Sequence, residues 1–476
     1  MDFIPPGRHR TAGAFRAHWR SLGGDLDCAA APRGGDGPLG APIAVLGKTL
    51  ANRFAVQPME GWDGTAGGLP SDLTLRRWRR FGRSGAKLVW GGEAFAVRED
   101  GRANPRQLFF DARADSEGGL VSLLDALRAG HREIGEDPAT LLAGLQLTHS
   151  GRFSRPHESG ARPLRASRHP ILDARMGLGP SDPLLTDGEL EGIGQDFVRV
   201  AALAARAGFE FVDVKCCHGY LLHEVLGAKT REGPYGGSFE NRTRLFRRIV
   251  EGIRAAAPGL AVAVRVSLGD VVPHASDPAT GEGRPESRDA DLAARHGFGA
   301  GTSEPDYREG LLFLALARDL GIGLVNVTLG SPYYCPHVQR PAFYPPSDGY
   351  RPPEDPLAGV ARHVRAARAA KAALGNRAVV VGTGYSYLQE WLPHVAEHEV
   401  GEGRVDLVGL GRMVLAYPEL PLDVLRGRPL DRKRICRTFS DCTTAPRNGL
   451  RSGCYPLDAH YGALPDAAAL KAAKNG

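Results

Sequence analysis

Val379-Val380-Val381-Gly382-Thr383-Gly384 and, one amphipathic stretch later, Val405-Asp406-Leu407-Val408-Gly409-Leu410-Gly411-Arg412 decide how this chain reads. Each is a short, nearly continuous apolar run, the pattern of a strand buried on both faces in a parallel sheet. Each also closes on glycines, which let backbone N–H groups come close to a phosphate, with a short helix N-terminus adding positive potential. Taken singly, either glycine pair serves equally well as a helix-capping turn. Placed at the ends of two consecutive strands, they point to a phosphate that Arg412 can meet bidentately.

Six similar runs precede these two: Asn52–Met59, Lys87–Glu93, Leu141–Leu147, Phe211–Cys217, Ala261–Leu268 and Gly323–Gly330. Ala378–Thr383 and Val405–Arg412 bring the count to eight. Helical patterns lie between them, among others Gly188–Ala207, Phe239–Ala256, Tyr307–Leu320, Leu357–Leu374 and Ser386–His398. Eight strands alternating with helices predict an α/β fold, a single (β/α)₈ TIM barrel with a parallel sheet. The expected layout is an N-terminal arm over 1–40, the barrel over 41–430 and a C-terminal extension over 431–476. Two connections, Gly269–Pro305 and Ser331–Pro356, exceed the roughly 15 residues of an ordinary loop and follow strand C-termini, where barrel active sites lie. They read as lid or specificity loops, against the plainer reading of surface decoration. No G-x-G-x-x-G opens a βαβ unit, which disfavours a Rossmann site.

The bulk numbers narrow the function. Net charge is +6, from 60 basic and 54 acidic residues, and the basic residues are scattered rather than gathered into a stripe with aromatics. That speaks against nucleic-acid binding and leaves a mild field favouring anions. No run approaches the roughly 18 apolar residues of a membrane span. The first forty residues carry Arg8, Arg10, Arg16 and Arg20 without an apolar core, so no signal peptide is expected and the compartment is read as cytoplasmic. Seven irregularly spaced cysteines do not make a secreted disulfide framework. The expected partner is a small molecule; a homo-oligomer is left open.

Further polar strings sit at or just beyond the strand ends: Gln57-Pro58-Met59-Glu60-Gly61, Gly92-Glu93-Ala94, Gln146-Leu147-Thr148-His149-Ser150-Gly151-Arg152, Lys215-Cys216-Cys217-His218-Gly219-Tyr220, Tyr235-Gly236-Gly237-Ser238-Phe239-Glu240-Asn241-Arg242 and Val264-Arg265-Val266-Ser267. In these strings the chain resembles the Old Yellow Enzyme family of NADH:flavin oxidoreductases, including its 2,4-dienoyl-CoA reductase and trimethylamine dehydrogenase branch, from about residue 42 to about 460. The resemblance implies noncovalent FMN, with NADH or NADPH as electron donor. It places Pro58, Met59 and Glu60 along the flavin, Ala94 and Gln146 at its polar edge, and Arg265 near N1 and O2. Gly382, Thr383, Gly384, Gly411 and Arg412 are implied at the phosphate. The chemistry independently asks for a cation where Arg265 stands, because negative charge develops there on reduction; a strand-end salt bridge is the plainer alternative.

The implied catalytic set departs from the family. Many relatives place two His or Asn donors three residues apart and a Tyr two further on, to hold a carbonyl oxygen and to protonate carbon. Here those positions are Lys215, His218 and Tyr220; the last two match and Lys215 does not. Glu60 replaces the Cys or Thr that commonly tunes the flavin, and a carboxylate there disfavours reduction unless paired, so a Glu60–Lys215 ion pair is expected. The lysine also points to a substrate with an anionic or strongly polarised group. Cys436-x₅-Cys442-x₁₁-Cys454 resembles the iron–sulfur motif of the larger relatives with Phe439 in place of one cysteine. Such clusters use four thiolates, so a degenerate motif without metal is expected. Cys216 and Cys217 read as core or pocket wall, and His149 as a pocket histidine.

The function expected is hydride transfer between reduced FMN and an activated C=C. The stretch after Arg412 is too short for a second nucleotide-binding module, so electrons are expected to enter and leave by one face, in ping-pong fashion. Alternatives are the oxidative direction, a flavin barrel with a redox-neutral role, or a glycoside hydrolase using Glu60 and Glu93 as paired carboxylates.

Overall fold

The computed structural model describes residues 3–158 and 160–475; the outermost residues of the arm and of the extension lie outside that range. Eight parallel strands close into a barrel: β1 Phe54–Val56, β2 Leu88–Val89, β3 Leu142–Thr148, β4 Phe211–Val214, β5 Ala261–Ser267, β6 Leu324–Thr328, β7 Val379–Gly382 and β8 Leu407–Leu410. Each pairs with the next, and β8 returns to β1. All eight expected strands are present, most of them shortened where the chain turns and the third shifted by one residue at its full length. The ladder of β2 stops at Val89 because Gly91 and Gly92 adopt φ of 132° and 46°, a region open to glycine at no steric cost. β4 stops at Val214, with a single further bridge from Cys216 to Val266.

The helices follow from local signals. Asp187–Ala207 starts on a capping box, Thr186 with Glu189, and ends at Gly208 with φ 96°. Its apolar stripe, with Phe197 and Val200 fully buried, packs onto the outer strand faces. Phe239–Ala256 forms as the pattern predicts. The stretch expected as one helix over Ser386–His398 is a 3₁₀ segment Tyr385–Trp391 followed by a helix Leu392–Gly401, broken at Gln389 with φ 56°.

The barrel interior is sorted by height. Side chains alternate inward and outward along each strand, and inward positions stack in layers. The lower layers are apolar: Ala55, Leu88, Trp90, Leu142, Phe211, Ala263, Leu324, Val381 and Leu407 form one cluster. A hairpin of Ile43–Val45 and Lys48–Leu50 floors it with Val45 and Leu50. Further along the same inward rows, two residues on from Ala55, Phe211, Ala263 and Leu324 and four on from Leu142, the chemistry changes to Gln57, Asp213, Arg265, Asn326 and Gln146. Gln146 stands opposite Asp213 and Asn326 opposite Arg265 in the ladders. Polar groups therefore occupy the C-terminal mouth.

Both ends of the chain pack onto this body. Helix Ala12–Ser21 buries Phe15 and Trp19 completely, Phe15 stacking on Trp391 at 5.4 Å. In the extension, Arg76 holds Asp458 through two hydrogen bonds of 2.8 and 2.9 Å. No helix among the described residues is long and apolar enough to cross a membrane.

Candidate active site

A cavity of about 240 Å³ opens at the C-terminal mouth of the barrel. Strand-end residues Pro58, Met59, Glu60, Gln146, Lys215, His218, Tyr220, Arg265 and Arg412 line it. The Ser331–Pro356 loop adds Tyr333, Gln339 and Arg340, and the C-terminal extension adds Cys442, Thr443, Arg447 and Ser452. Of the residues implied at the flavin, Ala94, Gly382, Thr383, Gly384 and Gly411 are not on its wall. Ala94 stands in register beside Gln146, its carbonyl accepting from Gln107 Nε2 at 2.7 Å. Gly411 directly precedes Arg412, and Gly382 and Thr383 accept from the Gln57 amide.

Asp213 organises the floor of the cavity. It accepts from Trp90 Nε1 at 2.7 Å, Gln146 Nε2 at 2.6 Å and the Arg265 backbone N–H at 2.6 Å. Burial lifts its carboxyl to about 6, against the pull of those donors. Gln146 is thereby turned so that its carbonyl oxygen is left for the cavity. Gln57 plays the same part at the phosphate end: it donates to the Gly382 carbonyl at 3.2 Å and to Thr383 Oγ1 at 3.1 Å, and accepts from Asn326 at 2.6 Å. A Cβ on Gly409 would fall 1.8 Å from the Gln57 amide nitrogen, so glycine is needed there for Gln57 to reach across. Sequence reasoning passed over Asp213 and Asn326 and noted Gln57 at a strand end without giving it a role. The signal available was a lone polar residue inside an apolar run, as in Val212-Asp213-Val214.

The catalytic candidates come together, with one correction. Glu60 and Lys215 form no ion pair among the described residues. Glu60 instead accepts from the Tyr220 hydroxyl at 2.6 Å and from Asn104 at 3.2 Å, while Lys215 Nζ sits 3.6 Å from the Tyr220 ring centroid. The tyrosine stands between the two charges, hydrogen-bonded to one and stacked under the other. Lys215 is only 5% exposed, and no side chain or carbonyl among the described residues accepts from its ammonium. Burial pushes its pKa down, opposed by the negative charge of Glu60. Burial, then Glu60, raises the Tyr220 phenol well above its usual range. Tyr333, from the long loop, reaches Tyr220 OH at 2.9 Å and extends the chain of hydroxyls. His218, with φ 67°, lies near Thr328 and Gln339, and burial followed by Arg265 and Lys215 keeps it neutral.

The second carboxylate of the hydrolase alternative is unavailable. Glu93 is fully buried, bound to Arg77 at 2.5 Å and to the Gly61 N–H at 2.8 Å, and lies off the cavity wall. His149 is buried beside Asp100, at 3.7 Å, and also off the wall. Cys216 and Cys217 are both fully buried and off the cavity wall, while Cys442 alone of the tail cysteines faces the cavity. Among the described residues no three His, Cys, Asp or Glu side chains are grouped to hold a metal ion.

The donors on the wall fit FMN. Arg265 is 4% exposed with its Nε unpartnered, and Arg412 has a buried unpartnered Nη1. Buried donors left without acceptors are costly, on the order of 1–3 kcal/mol each and more when charged. A flat anionic ligand with a phosphate at one end satisfies both, against the apolar Pro58–Met59 wall.

A closed (β/α)₈ barrel with such a cavity belongs with the barrel enzymes that hold a phosphate-bearing cofactor at the C-terminal mouth. Residues 38–281 match the NADH:flavin oxidoreductase / NADH oxidase family, and the chain belongs to that family of FMN oxidoreductases. An NADPH dehydrogenase of Geobacillus sp. is 28% identical over 392 residues, covering 80% of this chain and 92% of that protein. An NADH:flavin oxidoreductase of Gibberella zeae is 29% identical over 244 residues, 48% of this chain and 56% of that one. Among solved structures, 2-naphthoyl-CoA reductase aligns with a TM-score of 0.63 at 19% identity, over 89% of this chain and 57% of its own. The old yellow enzyme homologue of Zymomonas mobilis aligns at 0.55 and 20%, over 83% and 94%. The chain thus spans little more than half of the Gibberella protein and of the naphthoyl-CoA reductase, and nearly all of the Geobacillus and Zymomonas proteins.

Proposed function

We propose that this protein binds FMN in the cavity, takes hydride from NADH or NADPH, and reduces an activated C=C in a small substrate that carries an anionic or strongly polarised group. The observation that carries the substrate reading is Lys215, a buried ammonium without an acceptor, held over the ring of Tyr220. FMN, when bound, supplies the hydride chemistry. Arg265 stabilises the negative charge that develops at the cofactor's edge on reduction, and Gln146 orients that edge through its carbonyl. Lys215 offers the substrate oxygen a full positive charge, and neutral His218 a second contact point. Tyr220 delivers a proton to carbon and is reprotonated from solvent by way of the Tyr333 hydroxyl, 2.9 Å away, while Glu60 orients the phenol. The proposal is tested by anaerobic titration of the yellow protein with NADH and NADPH, followed by addition of carboxylated and neutral alkenes while the flavin spectrum is read. Reoxidation by the carboxylated alkene alone supports it, and a spectrum that no alkene restores overturns it.

The Tyr220–Glu60 hydrogen bond favours a second reading, the oxidative direction. A phenol whose proton is already held by a carboxylate is better placed to become a base than to act as an acid. Substrate-driven bleaching of the flavin by a saturated compound, without NADH or NADPH, identifies this direction.

A further inference from the structure

Three arginines, Arg340, Arg412 and Arg447, meet at one end of the cavity. Arg447 is neutralised by Asp348 at 3.1 Å. Neither of the other two forms an ion pair among the described residues. Arg412 Nη2 donates to the carbonyl of Pro341, the residue after Arg340, at 2.7 Å. Arg340 Nη1 donates to Thr443 Oγ1 of the C-terminal extension. Burial lowers the pKa of Arg340, and the charge of Arg412 lowers it further.

Two half-buried guanidiniums on one cavity wall with no carboxylate between them repel one another, and each is partly desolvated. A shared monoanion leaves one charge over. A shared dianion cancels both, and its oxygens match the fork geometry of two arginines. Arg412 directly follows Gly411 at the end of β8, the strand paired with β7, and its buried Nη1 has no other partner.

We propose that Arg340 and Arg412 together clamp the FMN phosphate dianion, and that the C-terminal extension, through Thr443, holds Arg340 in the clamp. This rests on the FMN binding proposed above. The extension is fastened to the loop that carries Arg340 at two further points: Thr438 Oγ1 accepts from the Phe343 N–H and Thr444 Oγ1 from the Ser347 N–H, both at 3.2 Å. The segment after the barrel is thus part of the cofactor site, and cofactor retention depends on it.

The test compares FMN with riboflavin, which lacks the phosphate. Flavin-free protein is titrated with each and binding is read from flavin fluorescence. Arg340→Met should weaken FMN binding by roughly 10- to 100-fold, the span of a charged hydrogen bond at about 1.4 kcal/mol per tenfold, and leave riboflavin affinity unchanged. Thr443→Val, which keeps the charge and removes its anchor, should move the FMN-to-riboflavin ratio the same way by a smaller factor. Inorganic phosphate should raise the Tm of the flavin-free wild type and not that of Arg340→Met. Equal losses for both flavins, or an unchanged ratio in both variants, overturn the clamp alone. Wild-type protein that binds neither flavin overturns the proposed function and the clamp with it.

Discussion

Replacing Lys215 with Met should make the protein more stable and less able to bind its substrate. The ammonium is 5% exposed, 3.6 Å from the Tyr220 ring centroid, and has no acceptor. Taking such an ion out of water costs several kcal/mol after relaxation. The aromatic face returns about 2 kcal/mol, and the charge of Glu60, beyond ion-pair distance, about 1 kcal/mol more. The balance is a net penalty of about 1–3 kcal/mol, which methionine, of similar length and apolar, removes. Urea unfolding of the flavin-free protein at pH 7 measures it directly. The pH dependence gives an independent reading. Burial depresses the folded-state pKa of Lys215 below its ordinary 10.5, so between those two values the unfolded chain binds more protons than the folded one. Stability then rises with pH in that window. The advantage of the Met variant should shrink as pH climbs toward 10.5. A Lys215→Met protein less stable than wild type, or one whose difference ignores pH, refutes the argument and gives the lysine a structural partner instead of a substrate.

Arg412→Ala should weaken FMN binding by about 1.5–3 kcal/mol, the worth of a charged hydrogen bond, measured by fluorescence titration of flavin-free protein. Tyr220→Phe should slow the oxidative half-reaction by roughly 10²- to 10⁴-fold and leave flavin reduction by NADH or NADPH nearly unchanged; equal loss in both halves points to a structural tyrosine. Burial and then the Glu60 charge raise the Tyr220 phenol, so Glu60→Gln, which removes only the second, should move the pH profile of the oxidative half-reaction part of the way to lower pH; if Tyr220 works as a base, the same variant should lose rate at every pH. Lys215→His should raise turnover of the neutral enone cyclohexenone and reduce that of carboxylated alkenes, and little change in either marks the lysine as a bystander.

The barrel was legible because its strands are buried on both faces. Runs such as Val379-Val380-Val381 have no other comfortable place, and their spacing leaves room for one helix each. The cavity's strand-end residues were legible for the same reason: a polar residue at the end of an apolar run has to face the mouth. What the sequence hid were contacts between distant segments. The Glu60–Lys215 pairing was a sound electrostatic expectation, yet it fails because Tyr220, at the start of the next helix, occupies the space between them. Tyr333, Arg340, Thr443 and Arg447 come from a loop and a tail whose positions no periodicity encodes. Gly409 shows the limit from the other side. Its glycine reads as a phosphate turn, whereas in the fold it makes room for Gln57.

The layering of the barrel explains why so few substitutions separate a structural interior from a chemical one. On β4 and just past its end the inward row runs Phe211, Asp213, Lys215: packed floor, organiser, cation at the cavity wall. On β5 it runs Ala263, Arg265, and on β3 Leu142, Gly144, Gln146. Each step is two residues and one layer upward. A charge placed one layer lower would be sealed in the apolar cluster with Trp90 and Leu324, where neither water nor ligand could reach it. Placed at the mouth, the same charge stays unpaired at a tolerable penalty, because the cavity leaves room for a ligand that completes it. On the function proposed above, Lys215 and Arg265 are half of a set of ion pairs whose other half the flavin and the substrate bring, and binding them should raise the stability of the protein.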